Sequence, residues 1–214
     1  MATISYSDIQ AVKREAKRLR TEHPDLSLTK LQDMAAAELF GVRGFHELNK
    51  WRDGTVAENT VEGDGGGLTC TFCGTTFYPD IPSERTFHRK RHDAFEEAST
   101  YLGYAPKQHA ERESMKKAGY ELLRADTLDE QVEGLLMVAR GWFDRSLDAA
   151  IDSAYWKQHP TFEAYVSYVI GDLEHLPAAA VKAVMERYGR VDGVIPQGKS
   201  YWYPPKKGRK AKAQ

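Results

Sequence analysis

Between Cys70 and His92, in the stretch CTFCGTTFYPDIPSERTFHRKRH, the spacing is C-x2-C-x14-H-x3-H. Two cysteines three positions apart fit a tight turn between strands, so that both sulfurs face one ion. Two histidines four apart lie one above the other on a helix face. Together Cys70, Cys73, His88 and His92 offer four soft-to-borderline donors, a set that suits tetrahedral Zn²⁺. Gly74 directly follows the second cysteine, where such a turn needs positive φ. Four protein ligands close the coordination shell, so the expected zinc is structural rather than catalytic. Ser83 or Asp80 is placed to cap a helix that carries both histidines on through Phe95 and Leu102, with Phe77 and Phe87 completing a small core. A segment as short as 68–106 buries too little apolar surface to hold itself, and zinc would supply most of its stabilisation. These are the only two cysteines of the chain. A disulfide framework is therefore not expected, and a reducing, cytoplasmic setting is.

The segment CTFCGTTFYPDIPSERTFHRKRHDAFEEASTYLGY resembles the lone zinc finger that precedes the catalytic domain of sister-chromatid cohesion acetyltransferases. Cys70, Cys73, Gly74, His88, His92 and Phe95 occupy the positions of that pattern. The resemblance implies a ββα fold and this ligand set, and nothing more. No R/Q-x-x-G-x-G/A loop follows, and the rest of the chain reads as helices rather than as the mixed sheet of an acetyltransferase.

The expected fold class is mainly α with a small ββα zinc finger. Residues 1–52 read as an N-terminal unit of three short helices. Ser7 and Gln10 have capping-box spacing, and Ile9, Val12, Ala16 and Leu19 then recur at helical intervals. LTKLQDMAAAELF puts Leu31, Met34, Ala35 and Leu39 on one face and stops at Gly41. GFHELNKW offers Phe45, Leu48 and Trp51. The short turn GVRG gives the last two helices the outline of a helix-turn-helix, an outline that a plain three-helix unit shares. IQAVKREAKRLR and SLTKLQDMAAAELFGVRGFHELNKW are also similar to the helical N-terminal region of plasmid and phage glyoxalase-related proteins. That similarity implies a mobile-element protein and carries no catalytic residue. DGTVAENTVEGDGGG, residues 53–67, holds five glycines and reads as a flexible linker. Residues 107–195 read as a helical domain. A long amphipathic helix is opened by Thr127 and Glu130, and Pro160 and Pro177 begin two more. Residues 196–214 form an aromatic and basic tail.

Charge is unevenly spread. Residues 111–192 hold 15 acidic and 10 basic side chains, whereas 199–214 hold six basic ones and no acid. An acidic body with a basic tail fits a nucleic-acid partner. Arg85, Arg89, Lys90 and Arg91 beside the ligands are candidate contacts, with Lys206, Lys207, Arg209 and Lys210 in the tail. A protein partner docking on the helical domain, with the finger purely structural, is the alternative. No apolar run approaches the ~20 residues that span a bilayer, and MATISYSDIQAVKREAKRLR lacks the apolar core of a secretory signal, so no membrane association is expected. GVIPQGKS, residues 193–200, matches the letters of a phosphate-binding loop. Pro196 inside it and YWYPP after it forbid the strand-loop-helix that the chemistry needs, so no nucleotide cofactor is expected. Tyr201, Trp202 and Tyr203 read instead as anchors of an extended arm. His23, His46, His109, His159 and His175 stand alone, and no nucleophile constellation is present. The chain reads as a regulatory protein rather than an enzyme.

Overall fold

The structure is a computed structural model that describes residues 3–173 and 176–205. The chain divides into two compact units, Met1–Gly103 and Tyr104–Gln214. The described residues are mainly helical, with one small antiparallel sheet.

The first unit begins with three helices, α1 (Tyr6–Glu22), α2 (Leu28–Phe40) and α3 (Phe45–Ala57). The N-cap of α1 is Ser5, not Ser7. The Ser5 hydroxyl accepts from the Asp8 amide at 3.2 Å while the Asp8 carboxylate accepts from the Ser5 amide at 2.8 Å, a reciprocal pair that satisfies two orphan donors. Ile9, Val12, Ala16 and Leu19 are buried on one face of α1 as the periodicity predicts, and pack with Leu31, Ala35 and Leu48. Leu39, expected on the α2 face that carries Leu31 and Ala35, is 46 % exposed. The turn into α3 is fixed by Gly41 in the left-handed region at φ 65° and by Asp33, whose carboxylate accepts from the Phe45 amide at 2.9 Å.

Residues 53–67 depart from the linker reading. α3 runs through Ala57, and β1 (Thr60–Glu62) pairs antiparallel with β2 (Leu68–Cys70), which pairs in turn with β3 (Thr76–Phe77). The glycines allow the tight reversal between β1 and β2, closed by the Gly63 amide on the Gly67 carbonyl at 2.8 Å. A ladder supplies the backbone hydrogen bonds that a polar segment would otherwise give to water. α4 (Pro82–Leu102) follows. Its N-cap is Ile81, with Pro82 in the first turn, where proline costs the helix no hydrogen bond. Neither Ser83 nor Asp80 caps it.

The second unit is built around α6 (Leu128–Asp152), which packs against α5 (His109–Leu122), α7 (Phe162–Val169) and α8 (Ala178–Tyr188). Thr127 caps α6 by accepting from the Glu130 amide at 3.3 Å. α5 and α6 meet at two glycines. A methyl group on Gly134 would lie 2.5 Å from the Gly119 carbonyl oxygen, and one on Gly119 2.7 Å from that of Gly134. Leu135, Val138, Leu147, Tyr165 and Val184 fill the core. Residues 195–203 lie across α6 and α7 as an arm. The Trp202 amide donates to Ser146 Oγ at 2.9 Å, Tyr155 donates to the Trp202 carbonyl at 3.2 Å, and Tyr165 donates to the Ser200 carbonyl. No helix follows Lys199 among the described residues, so GVIPQGKS serves as the approach to this arm.

Candidate metal centre

The strand β2 ends in Cys70, a tight turn delivers Cys73, and the first three turns of α4 deliver His88 and His92. The turn is held by the Gly74 amide on the Cys70 carbonyl at 2.8 Å and the Cys70 amide on the Thr75 carbonyl at 2.9 Å. Gly74 has φ 71°, the left-handed conformation that a side chain would strain. All four side chains are buried, and their donor atoms lie within 4.8 Å of one another. A tetrahedral ion bound at ~2.0–2.3 Å keeps its donors roughly 3.3–3.8 Å apart, and Cys70 Sγ stands 3.4 Å from His92 Nδ1. His88 Nε2 is buried with no hydrogen-bond partner. An orphaned buried nitrogen is costly unless something occupies its lone pair. The residues therefore fit a bound metal ion.

The surroundings of Cys70 favour its thiolate. A hydrogen bond from Cys73 is the main influence drawing the Cys70 thiol down to about 6, against the opposing effect of burial; the Cys73 and Phe72 amides and the Arg91 charge add to the lowering. The thiolate is the form that binds metal. Cys73 Sγ also lies 3.2 Å from Thr75 Oγ1.

The surrounding shell differs from the sequence expectation. Phe77 stacks on His88 at 4.1 Å between ring centroids, and Phe95 is buried as expected. Phe87 is 61 % exposed and Leu102 lies at the surface. Phe72, which the sequence reading passed over, takes the inner place, 4.9 Å from the His92 ring and 6.2 Å from Phe95.

Two further residues escaped the sequence reading. Arg52 of α3 is 1 % exposed, donating to the Ile4 carbonyl at 3.0 Å and to Asp93 at 2.8 Å and pairing with Glu96 at 2.5 Å. Glu96 also accepts from the Tyr6 amide at 2.7 Å, and its other oxygen stands 4.0 Å from His92 Nε2. At that distance the carboxylate is not hydrogen-bonded to the ring, but it faces the nitrogen that His92 turns away from Cys70. Glu96 was legible as the residue one turn beyond His92, whereas Arg52 had no local signal.

The basic residues of α4 do not form one surface. Arg85 is exposed and donates to the Pro79 carbonyl at 2.5 Å. Arg89 pairs with Asp53 and donates to Asp93 at 3.2 Å. Arg91 donates to the Cys73 carbonyl at 3.2 Å and lies over the Phe95 ring at 5.0 Å. Lys90 is exposed. Arg85 and Arg89 line a largely apolar cavity of about 280 Å³ against His88. Lys206, Lys207, Arg209 and Lys210, like His175, lie outside the described residues. No described helix is long and apolar enough to cross a membrane. Comparison with known proteins finds no matching family model, no similar curated protein and no similar solved structure.

Proposed function

We propose that the chain is a non-catalytic regulatory protein that binds nucleic acid or a nucleoprotein complex, with a structural Zn²⁺ held by Cys70, Cys73, His88 and His92. The observation that carries the zinc assignment is the donor set itself: two thiols and two imidazoles, buried and converging. Thiolate and imidazole together select zinc over the oxygen-seeking cations. Zinc bound there would clamp β2 and the following turn to α4, stabilising the first unit rather than activating a substrate. Exposed cations, Arg85 and Lys90 on α4 among them, and the basic composition of residues 199–214 support the nucleic-acid reading. The mobile-element setting rests on the N-terminal resemblance.

A protein-docking role with a purely structural finger is the second reading. It is favoured by the internal bonds of Arg85, Arg89 and Arg91. Two measurements test the proposal on the full chain purified without chelator. Elemental analysis is expected to find one zinc per chain. Anisotropy titration against a mixed-sequence duplex is expected to give an affinity that falls steeply with salt, since neutralised phosphates release counterions. Absence of zinc removes the metal assignment, and absence of salt-dependent binding to any nucleic acid leaves the protein-docking reading.

A further inference from the structure

The densest run of charge among the described residues lies on α1, away from the metal. KREAKRLR, residues 13–20, contains five basic residues and one acid. At 100° per residue, Lys13, Lys17 and Arg20 fall within about 60° of one another, and Arg14 flanks them. All four are exposed, while Ile9, Val12, Ala16 and Leu19 take the buried face. None of the four has an ion pair among the described residues.

The acids of α1 do not neutralise this stripe. Arg18 holds Glu15 at 2.5 Å and also pairs with Glu22, so both carboxylates are drawn to the opposite edge of the outward surface. Asp8 is occupied at the N-cap. Arg20, in the last turn, has a structural reason to be there because it complements the helix dipole. Lys13 and Lys17, in mid-helix, lie too far from the C-terminus for that role. The helix that presents them is firmly seated: its core face is packed, and its first amide is bound by Glu96 of the metal-bearing α4 at 2.7 Å.

We infer that the outward face of α1, through Lys13, Lys17 and Arg20 with Arg14 beside them, grips the phosphate backbone of duplex nucleic acid. This rests on the nucleic-acid reading proposed above and gives it a surface. From Lys13 to Arg20 the cations span about 10 Å of helix axis, the length of roughly three base-pair steps. Single strands are bound by aromatic platforms on which bases stack, and residues 13–20 contain no aromatic. Cations bonded to phosphate oxygens set position and affinity rather than sequence.

The test compares the zinc-loaded full chain with the triple variant K13Q/K17Q/R20Q. Anisotropy titrations use a mixed-sequence DNA duplex and the equivalent RNA duplex from 50 to 200 mM salt. Circular dichroism and zinc content, expected to be unchanged, establish that the variant is folded. A second triple variant, K107Q/K117Q/K182Q, removes the same charge from the second unit. The α1 variant is expected to lower the magnitude of the salt slope by about 2.7 and to weaken binding on the order of a hundredfold at 100 mM salt. The second-unit variant is expected to stay within about threefold of wild type. Whichever duplex the wild type binds more tightly identifies the source of the phosphates. An α1 variant with the wild-type slope overturns the surface while leaving nucleic-acid binding intact. A wild type that binds neither duplex overturns both. Tighter binding to phosphatidylserine-containing vesicles than to either duplex, lost in the α1 variant, also overturns the inference in favour of a membrane surface.

Discussion

Arg52 Nη2 lies 2.5 Å from Glu96 Oε2, although the arginine is 1 % exposed and the two residues belong to helices α3 and α4. The pair joins the three-helix bundle to the helix that carries His88 and His92. Breaking a buried ion pair from one side leaves an uncompensated charge. Arg52→Met is therefore expected to destabilise the first unit by about 3 kcal/mol. Glu96→Gln keeps the shape and an acceptor for the Tyr6 amide, and is expected to cost about 1 kcal/mol. Urea unfolding of the zinc-loaded protein measures both.

Removing the metal should act on one unit. With free zinc a thousandfold above its dissociation constant, the first unit is expected to be about 4 kcal/mol more stable than its chelated form. The second unit has a helical core of its own, built on α6, and its transition is expected to stay where it is. Calorimetry with and without chelator reads the two transitions, and Cys73→Ser is expected to reproduce the chelated trace.

Alanine is the better helix former at Gly134 by ~1 kcal/mol, so propensity alone would stabilise Gly134→Ala. The Gly119 carbonyl oxygen 2.5 Å from the added methyl argues the other way. Backbone cannot give as a side chain can, and overpacking costs roughly 1–3 kcal/mol. Net destabilisation of about 1–2 kcal/mol is expected, whereas a neutral or stabilising result in thermal unfolding would show that α5 and α6 can move apart freely.

His159 sits beneath the arm, 2.8 Å from Ser146 Oγ and 3.1 Å from the Pro160 carbonyl. Burial pushes its imidazole down to about 4, against a smaller opposing effect of the Pro160 carbonyl. Below its unfolded value near 6.5 the unfolded chain takes up a proton that the folded chain refuses. Stability is thus full above about 6.5, declines as pH falls towards 4, and levels off below that, a loss of up to ~3 kcal/mol. Stability curves of the second unit between pH 7 and 4 should lose this slope in His159→Gln.

Much of the centre is legible in the sequence, because ligand spacing is local information. C-x2-C and H-x3-H each report one turn or one helix face, and Gly74 marks a knuckle position where positive φ strains a side chain. The misplaced Phe87 was also decidable locally: it precedes His88 by one residue and so points about 100° away from the metal. Other features depend on partners far along the chain. Thr60–Glu62 is a strand only because β2 lies beside it. Arg52 is buried only because Asp93 and Glu96 arrive some forty residues later to receive it. The basic run of α1 was visible throughout, but exposure at Lys13, Lys17 and Arg20 and the diversion of Glu15 and Glu22 by Arg18 required the fold.

The antiparallel pairing of Thr60–Glu62 with Leu68–Cys70 bears on how the molecule can be dissected. A fragment cut at residue 68 would keep every metal donor, yet it would leave the middle strand as an open edge prone to self-association. The same cut would strand Asp93 and Glu96 without their arginine. The piece holding the four candidate donors is not a portable cassette, and the smallest transplantable block starts with the first helix.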